Sequence, residues 1–373
     1  MKKKSLLIIG LVMMLVGVGA NLTLAAGTWK LCGIVPMSGP VAQFGEYWLH
    51  GATLAVEDLK KAGWTGVEIM TEDNQLDPKL SIVGVRRVNM MKDVLMFGTT
   101  GSGVVLAIAP LVAELEIPVI NVGATSPKIR GESKGWTFSN TPFMDLEAKQ
   151  AAIAVIRNLK VKTAAVLYVN NEFGLGGREM FSKAFKEAGG DIVAAESYEL
   201  GATDFRTQWT KIKAAKPDVV YLVSHDIEGG RALKQKTEMA VPIQVIGCVT
   251  TSTQSMLKAA GSGSEGYIGM MSQQDIGLMA GDPKIVAYNN RHIAKYGDSF
   301  HYQSINTYDS VMMLADAIKS GAVTRSAVRD YLATKIKNYN GLSGIYSFGK
   351  DGQYEGNMGF CIVKNGKFTA LKW

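Results

Sequence analysis

The sequence has few of the residues on which disulfide-stabilised proteins and metalloenzymes depend. Its 373 residues include only three cysteines and four histidines. Cys32, Cys248 and Cys361 each lie in or beside an apolar segment, and an odd number in that setting predicts buried thiols rather than disulfides. The histidines show neither H-E-x-x-H nor paired-cysteine spacing, so we expect no metal site.

Motifs of nucleotide-binding and hydrolytic enzymes are also missing from the sequence. It contains neither a G-x-x-x-x-G-K-[ST] phosphate loop nor a G-x-S-x-G nucleophile elbow. The segment GSGSEG at 261–266 follows a predicted helix and precedes a predicted strand, the reverse of the dinucleotide-binding order. Acidic residues such as Glu147 and Asp309 fall on predicted helices, where we interpret them as solvated or capping. We therefore expect no catalysis and no cofactor.

Only the N-terminal segment is apolar enough to concern a membrane. Three lysines precede an apolar run at 6–20, a length typical of a signal-peptide core and short for a membrane span. Small residues at Thr23 and Ala25 predict cleavage near Ala25 and export to the periplasm; a retained anchor is the alternative. Lipidation at Cys32 is disfavoured, because Trp29-Lys30-Leu31 is not the small-residue context it requires.

The charge of the chain is mild and spread out. The formal charge is +7, and removing residues 1–25 takes away three lysines and no acid, which leaves +4. No basic cluster is present, so nucleic acid is not an expected partner.

Apolar strand-like segments alternate with amphipathic segments of helical period. The first block runs from a strand at 29–37 to IPVINVG at 117–123, and the pattern restarts after residue 145. Such alternation predicts βαβ units, and two blocks predict two doubly wound α/β domains with parallel sheets. The last 30 residues have antiparallel character instead, with a strong hairpin signal at Asn365-Gly366.

Several segments resemble a known family. They are IVPMSGPVAQFGEYWLHGATLAVEDLKKAGW, IPVINVGATSP, NNEFGLGG, GATDFRTQW and GYIGM, together with the spacing from Gly98 to Ser102. In this order they resemble the branched-chain amino-acid binding proteins, the type I periplasmic solute receptors of ABC importers. The resemblance implies two α/β lobes joined by a three-crossover hinge, with the ligand between them. The lobes would comprise 27–142 plus 274–343 and 143–273 plus 344–373.

The resemblance also implies a carboxylate clamp. Ser102, in FGTTGSGVVLAIAP, would offer a hydroxyl and an N–H at a helix N-terminus, although serine is also an ordinary helix cap. Gly123 would contribute backbone, and Thr125 a hydroxyl and an N–H. The ends of neighbouring parallel strands are where open α/β sheets bind ligands.

Other family positions define the walls of the implied site. Phe44 and Phe173 stand where pocket aromatics lie, and each would form an apolar wall over the ligand. His225 occupies a further pocket position. The alternatives are a structural aromatic beside the hinge for each phenylalanine and an ordinary loop residue for the histidine.

Two family positions lack the acid that an amino-acid ligand needs. Val249 and Phe143 stand where members place carboxylates for the ligand ammonium. A buried ammonium without a partner costs several kcal/mol, so we predict an aromatic or aliphatic carboxylic acid without an ammonium group. Asp145 or Asp226, nearby in sequence, keep an amino-acid ligand open as the alternative.

Three functions are compatible with these features to different degrees. The favoured one is a monomeric binding protein that delivers a small carboxylate to a membrane permease with a separate ATPase. A sensory ligand-binding subunit would share the same cleft. An exported hydrolase or oxidoreductase on a doubly wound fold lacks a recognisable catalytic constellation. The sequence does not identify the ligand.

Overall fold

The computed structural model describes residues 28–349, 352–356 and 358–373. The predicted signal peptide and its cleavage site lie outside these residues. The helices are α1 Gln43–Lys61, α2 Pro78–Met90, α3 Ser102–Glu114, α4 Met144–Ala154, α5 Glu172–Glu187, α6 Arg206–Ala215, α7 Asp226–Glu238, α8 Gln254–Ala260, α9 Gln273–Ala280, α10 Pro283–Tyr296, α11 Tyr302–Lys319 and α12 Arg325–Lys335. The strands are β1 Trp29–Val35, β2 Val67–Asp73, β3 Val94–Thr99, β4 Val119–Asn121, β5 Thr137–Ser139, β6 Thr163–Val169, β7 Asp191–Tyr198, β8 Val219–Val223, β9 Gln244–Gly247, β10 Ile268–Met271, β11 Tyr339–Gly341, β12 Gly344–Phe348, β13 Tyr354–Glu355, β14 Gly359–Lys364 and β15 Lys367–Leu371.

The first lobe is built on a parallel sheet with the strand order β2-β1-β3-β4-β5. Successive side chains of a strand face opposite sides, and β1 shows this directly. Leu31 and Val35 pack with α1, α11 and α12, whereas Cys32 and Ile34 pack with α2 and α3 on the other face. Helices therefore cover both faces, as expected for an apolar parallel sheet.

The second lobe repeats this plan with a longer sheet, in the order β15-β14-β10-β9-β8-β6-β7. The five strands from β10 to β7 are parallel, and β14 and β15 add an antiparallel edge. The predicted hairpin joins β14 to β15: Asn365 and Gly366 form a two-residue loop, and both have positive φ. The prediction of two doubly wound α/β lobes is confirmed.

The chain passes between the lobes three times, after β5, after β10 and after β13. The first two crossings fall beside the predicted boundaries. The third is predicted at 343/344, but the structure places it later. Tyr346 and Phe348 of β12 are buried in the core of the first lobe, and Phe348 contacts Phe138 at 5.3 Å between ring centroids. The predicted assignment of β12 to the second lobe is therefore wrong.

Local signals explain why the helix starts are predictable. Asp77 and Asp282 each cap a helix whose first residue is proline, and their side chains accept backbone N–H bonds from the first turn.

The prediction of buried thiols agrees with the structure, in which all three cysteines are buried and free. Within the described ranges, no helix combines the length and apolarity needed to cross a bilayer.

Candidate ligand-binding site

The first element of the site is the N-terminus of α3. Gly101 precedes it with φ +91°, a conformation that favours glycine, and an added Cβ there would lie 2.5 Å from Leu76. Ser102 begins the helix and is 2% exposed. Its Oγ accepts N–H bonds from Thr125 at 3.3 Å and Ser126 at 3.2 Å. Because both lone pairs of the hydroxyl accept these bonds, its proton remains available to donate to a ligand oxygen. The N-terminus of α3 beside it favours a negatively charged ligand group.

The second element is the loop after β4. The Asn121 side chain accepts the N–H groups of Gly123 and Ala124, at 3.1 and 2.6 Å, and donates to the Ala124 carbonyl. The N–H of Gly123 is therefore engaged, and its backbone offers only a carbonyl oxygen. Thr125 is 1% exposed, and its hydroxyl has no partner within the described structure. An unpartnered buried hydroxyl is rare and indicates a binding role.

Five of the predicted site residues surround one cavity between the lobes. Its lining consists of Phe44, Leu76, Thr100, Gly101, Ser102, Gly123, Phe173, His225, Thr250, Tyr302 and Gln303. His225 lies between the two phenylalanines, with ring-centroid distances of 5.2 Å to both Phe44 and Phe173. An apolar aromatic wall thus faces the polar Ser102 side.

Several polar atoms around this cavity have no hydrogen-bond partner in the described structure. They are both ring nitrogens of His225, the Oε1 atom of Gln303 and the Oγ1 atom of Thr125. Burial lowers the pKa of His225 to about 4, so its ring is neutral at physiological pH. Of these residues, His225 and Gln303 line the cavity and can therefore form neutral hydrogen bonds to a ligand.

The lobes contact each other through polar side chains. Lys128 pairs with Glu172 at 2.9 Å, next in sequence to the lining residue Phe173. The Tyr47 hydroxyl reaches Ser255 at 2.8 Å and Asp226 at 3.3 Å, and Asp226 follows the lining residue His225. The cavity provides about 20 Å³ for the centres of water-sized molecules, enough for about one or two waters. A larger ligand therefore requires the lobes to separate and the lining side chains to adjust.

Three predicted residues do not line the cavity. Phe143 packs with Val105 and Ile129, and the Arg130 guanidinium lies 4.5 Å above its ring. Val249 is buried beside the lining residue Thr250, and Thr125 stands behind Ser102. In the described part of the chain, neither Val249 nor Phe143 contacts the cavity, so their assignment to the site stays a prediction.

The two aspartates that kept an amino-acid ligand open are engaged elsewhere. Asp145 forms a bidentate pair with Arg130 at 2.8 and 2.9 Å. Asp226 is fully buried and accepts bonds from Gln43 and Tyr47 across the cleft. Burial raises the pKa of Asp226. Neither carboxylate belongs to the cavity lining.

Glu147 and Asp309 were expected to be solvated or capping, and the structure shows that neither is solvated. Asp309 is 1% exposed and binds the backbone N–H groups of Leu342 and Ser343 at 2.9 Å, so it anchors a loop. Glu147 is 0% exposed and accepts the Val249 N–H at 2.5 Å. Ala151 lies one turn later on the same helix face and is buried as well, so Glu147 belongs to the buried side of α4.

The remaining lining residues were missed by sequence reasoning. Leu76 and Thr100 adjoin predicted segments, but Thr250, Tyr302 and Gln303 come from parts of the chain far from Ser102. The fold brings them to the cleft through the crossovers, and no short-range pattern marks them. In the described ranges, no group of histidine, cysteine or acidic residues is arranged to hold a metal ion.

Two doubly wound lobes, a three-crossover hinge and a buried interlobe cavity define a two-lobed solute-binding protein. A family model described as "Periplasmic binding protein" matches residues 28–367. The chain belongs to this periplasmic binding protein family, with the Leu/Ile/Val-binding proteins among its relatives. Members of the family bind solutes and are not enzymes.

Individual relatives differ in the solutes that they bind. A leucine-, isoleucine-, valine-, threonine- and alanine-binding protein of Pseudomonas aeruginosa is 24% identical over 358 residues, 95% of this chain and 92% of that protein. A branched-chain amino-acid transporter binding protein of Streptococcus pneumoniae, solved with isoleucine, has a TM-score of 0.79 at 23% identity, covering 92% of this chain and 98% of that one. An ABC-transporter solute-binding protein of R. palustris, solved with benzoate, has a TM-score of 0.84 at 19% identity, covering 92% and 96%.

Proposed function

We propose that this protein is the exported, periplasmic substrate-binding component of an ABC importer, and that its ligand is a small carboxylic acid without an ammonium group. The observation that carries the ligand class is the uncharged lining of the cavity. None of its described lining residues is an aspartate, glutamate, lysine or arginine. The Ser102 hydroxyl and the α3 N-terminus suit a carboxylate.

An ammonium group would be costly in this cavity. Buried without a carboxylate partner, it would lose several kcal/mol of hydration free energy. The ring of His225 is neutral and the aromatic wall of Phe44 and Phe173 is apolar, so an aromatic or branched aliphatic acid fits best. The R. palustris protein, which has the same fold and was solved with benzoate, supports this ligand class.

In this proposal the ligand stabilises the closed lobes. It enters while the lobes are apart and then adds its contacts to the interlobe pairs described above. The closed form is the one that the membrane permease, served by a separate ATPase, would recognise. Only a difference in affinity between the open and closed forms is required, and no bond of the ligand is made or broken.

An amino-acid ligand is the second candidate. It is favoured by the buried carboxyl group of Glu147, which touches the backbone beside the cavity. The leucine-binding relatives favour it as well.

A thermal-shift screen separates the two candidates. The informative pair is leucine and its keto acid, which share the carboxylate and the side chain but carry an ammonium group and a carbonyl oxygen, respectively, at the α-carbon; benzoate is the third ligand. We expect the keto acid or benzoate to raise the melting temperature and leucine to have no effect. A ligand at 100-fold its dissociation constant adds about 2.7 kcal/mol to the free energy of unfolding. Stabilisation by leucine alone would contradict the proposed ligand class.

A further inference from the structure

A buried carboxyl group binds the segment that carries the lining residue Thr250 and takes no part in the lining itself. Glu147, in the first turn of α4, is 0% exposed. Its Oε1 atom accepts the N–H of Val249 at 2.5 Å, and its Oε2 atom has no hydrogen-bond partner in the described structure. Buried carboxylates are normally paired with a cation or with several donors, and Glu147 has one donor.

Among the described residues, the titratable groups near enough for Glu147 to influence their pKa values do not supply a positive charge. They are Tyr221 on β8, Cys248 after β9 and Tyr302 on α11. Burial raises the pKa of each, so all three are uncharged at neutral pH. The cations of the neighbouring helices lie elsewhere. Lys149 on α4 and Arg157, shortly after α4, line a separate surface groove together with Glu187 at the end of α5.

The single donor to Glu147, and the lack of a cation beside it among the described residues, favour its neutral form. Burial raises the pKa of Glu147 to about 8. The neutral acid still accepts the Val249 N–H through its carbonyl oxygen, and its proton resides on the other oxygen.

The bond from Val249 holds a segment that contributes to the cavity. Val249 begins a single helical turn, Val249–Thr251, and Thr250 within that turn lines the cavity. The Thr250 hydroxyl donates to the Ser224 carbonyl at 2.6 Å, next to His225. Glu147 therefore holds in place the turn that presents Thr250 to the cavity.

We propose that Glu147 is a positioning residue that works as an uncharged acid: it fixes the Val249–Thr251 turn and keeps the cleft free of the counter-charge that an ammonium ligand would need. The part concerning ligand class rests on the proposed function. The part concerning the protonation state of Glu147 does not, and the two are tested separately.

The first test needs no ligand. Urea unfolding of the wild type and Glu147→Gln is measured from pH 5 to pH 9, since glutamine keeps the shape and the acceptor of the neutral acid. The native state holds a proton that the unfolded chain loses above its ordinary glutamate pKa. We therefore expect the unfolding equilibrium constant of the wild type to rise relative to that of the variant, by up to about tenfold per pH unit, until about pH 8. Parallel profiles would overturn the proposal.

The matched control is Glu187→Gln, an exposed glutamate on α5. It should follow the wild-type profile at every pH. Infrared spectroscopy provides a second readout. The wild type should show the C=O stretch of an un-ionised carboxyl group at pH 7 that Glu147→Gln lacks, and its absence from the difference spectrum would also count against the proposal.

The second test uses leucine, its keto acid and benzoate as probes. Calorimetry in two buffers of different ionisation enthalpy counts the protons released on binding. We expect the acids to bind Glu147→Gln as tightly as the wild type at pH 6.5, with no proton released from Glu147. Leucine binding that releases a proton, and that Glu147→Gln abolishes, would make Glu147 an ammonium counter-ion and overturn the proposal. If none of the probes binds, the proposed ligand class fails, and the unfolding profiles still decide the state of Glu147.

Discussion

Ser102→Ala is expected to weaken the binding of a carboxylate ligand by about 1–3 kcal/mol, roughly five- to 150-fold in dissociation constant. The acceptor sites of the Ser102 hydroxyl, at the N-terminus of α3, are already occupied by the N–H groups of Thr125 and Ser126. Its proton is thereby directed to a further acceptor. Isothermal titration calorimetry with the acid identified in the screen measures the change.

The substitution also affects the protein without ligand. Alanine leaves the N–H groups of Thr125 and Ser126 without their acceptor, so the free energy of unfolding falls by about 1–3 kcal/mol as well. Ser310→Ala is the control, because Ser310 is equally buried and its hydroxyl donates to the Asn306 carbonyl in the body of α11. It should lower stability and leave affinity unchanged. Unchanged affinity in Ser102→Ala would remove Ser102 from the site.

Much of the fold could be predicted because its signals are local. The β14–β15 hairpin was predicted at its observed loop, because Asn365-Gly366 is a strong turn signal. The starts of α2 and α10 carry equally local signals, a proline and a capping aspartate. The short helix α9 and the three-residue strand β5 were not predicted. Segments of this length have weak periodicity, and contacts with distant parts of the chain determine their structure. The position of the third crossover was predicted wrongly because contacts of β12 with distant parts of the chain determine its lobe.

The site was predictable only where family resemblance supplied positions. Phe44, Ser102, Phe173 and His225 were placed together without any short-range pattern that joins them, and the structure brings them to one cavity. Their contact with a ligand stays a prediction. Glu147 was misread because a charged residue on a helix is normally solvated, whereas the burial of its helix face is a property of the packed lobes.

The position of the cavity wall depends on a close contact between two helices of the first lobe. Gly51 of α1 faces α11, where an added Cβ would lie 1.9 Å from the Ser304 carbonyl oxygen. Because this oxygen is a backbone atom, it cannot move away by a change of side-chain rotamer. Tyr302 and Gln303, which line the cavity, immediately precede Ser304. The absence of a side chain at Gly51 thus sets where one wall of the cleft stands.

Gly51→Ala is therefore expected to lower both stability and affinity. Forcing α1 and α11 apart should reduce the free energy of unfolding by about 1–3 kcal/mol, as overpacking typically does, in spite of the higher helix propensity of alanine. Gly176→Ala on α5 is the matched control, because an added Cβ there has no atom within 4 Å. It should be neutral or raise stability by up to about 1 kcal/mol. Urea unfolding and calorimetry of both variants measure the two effects. If Gly51→Ala lost stability but kept full affinity, the α1–α11 contact would support the fold without setting the cavity wall.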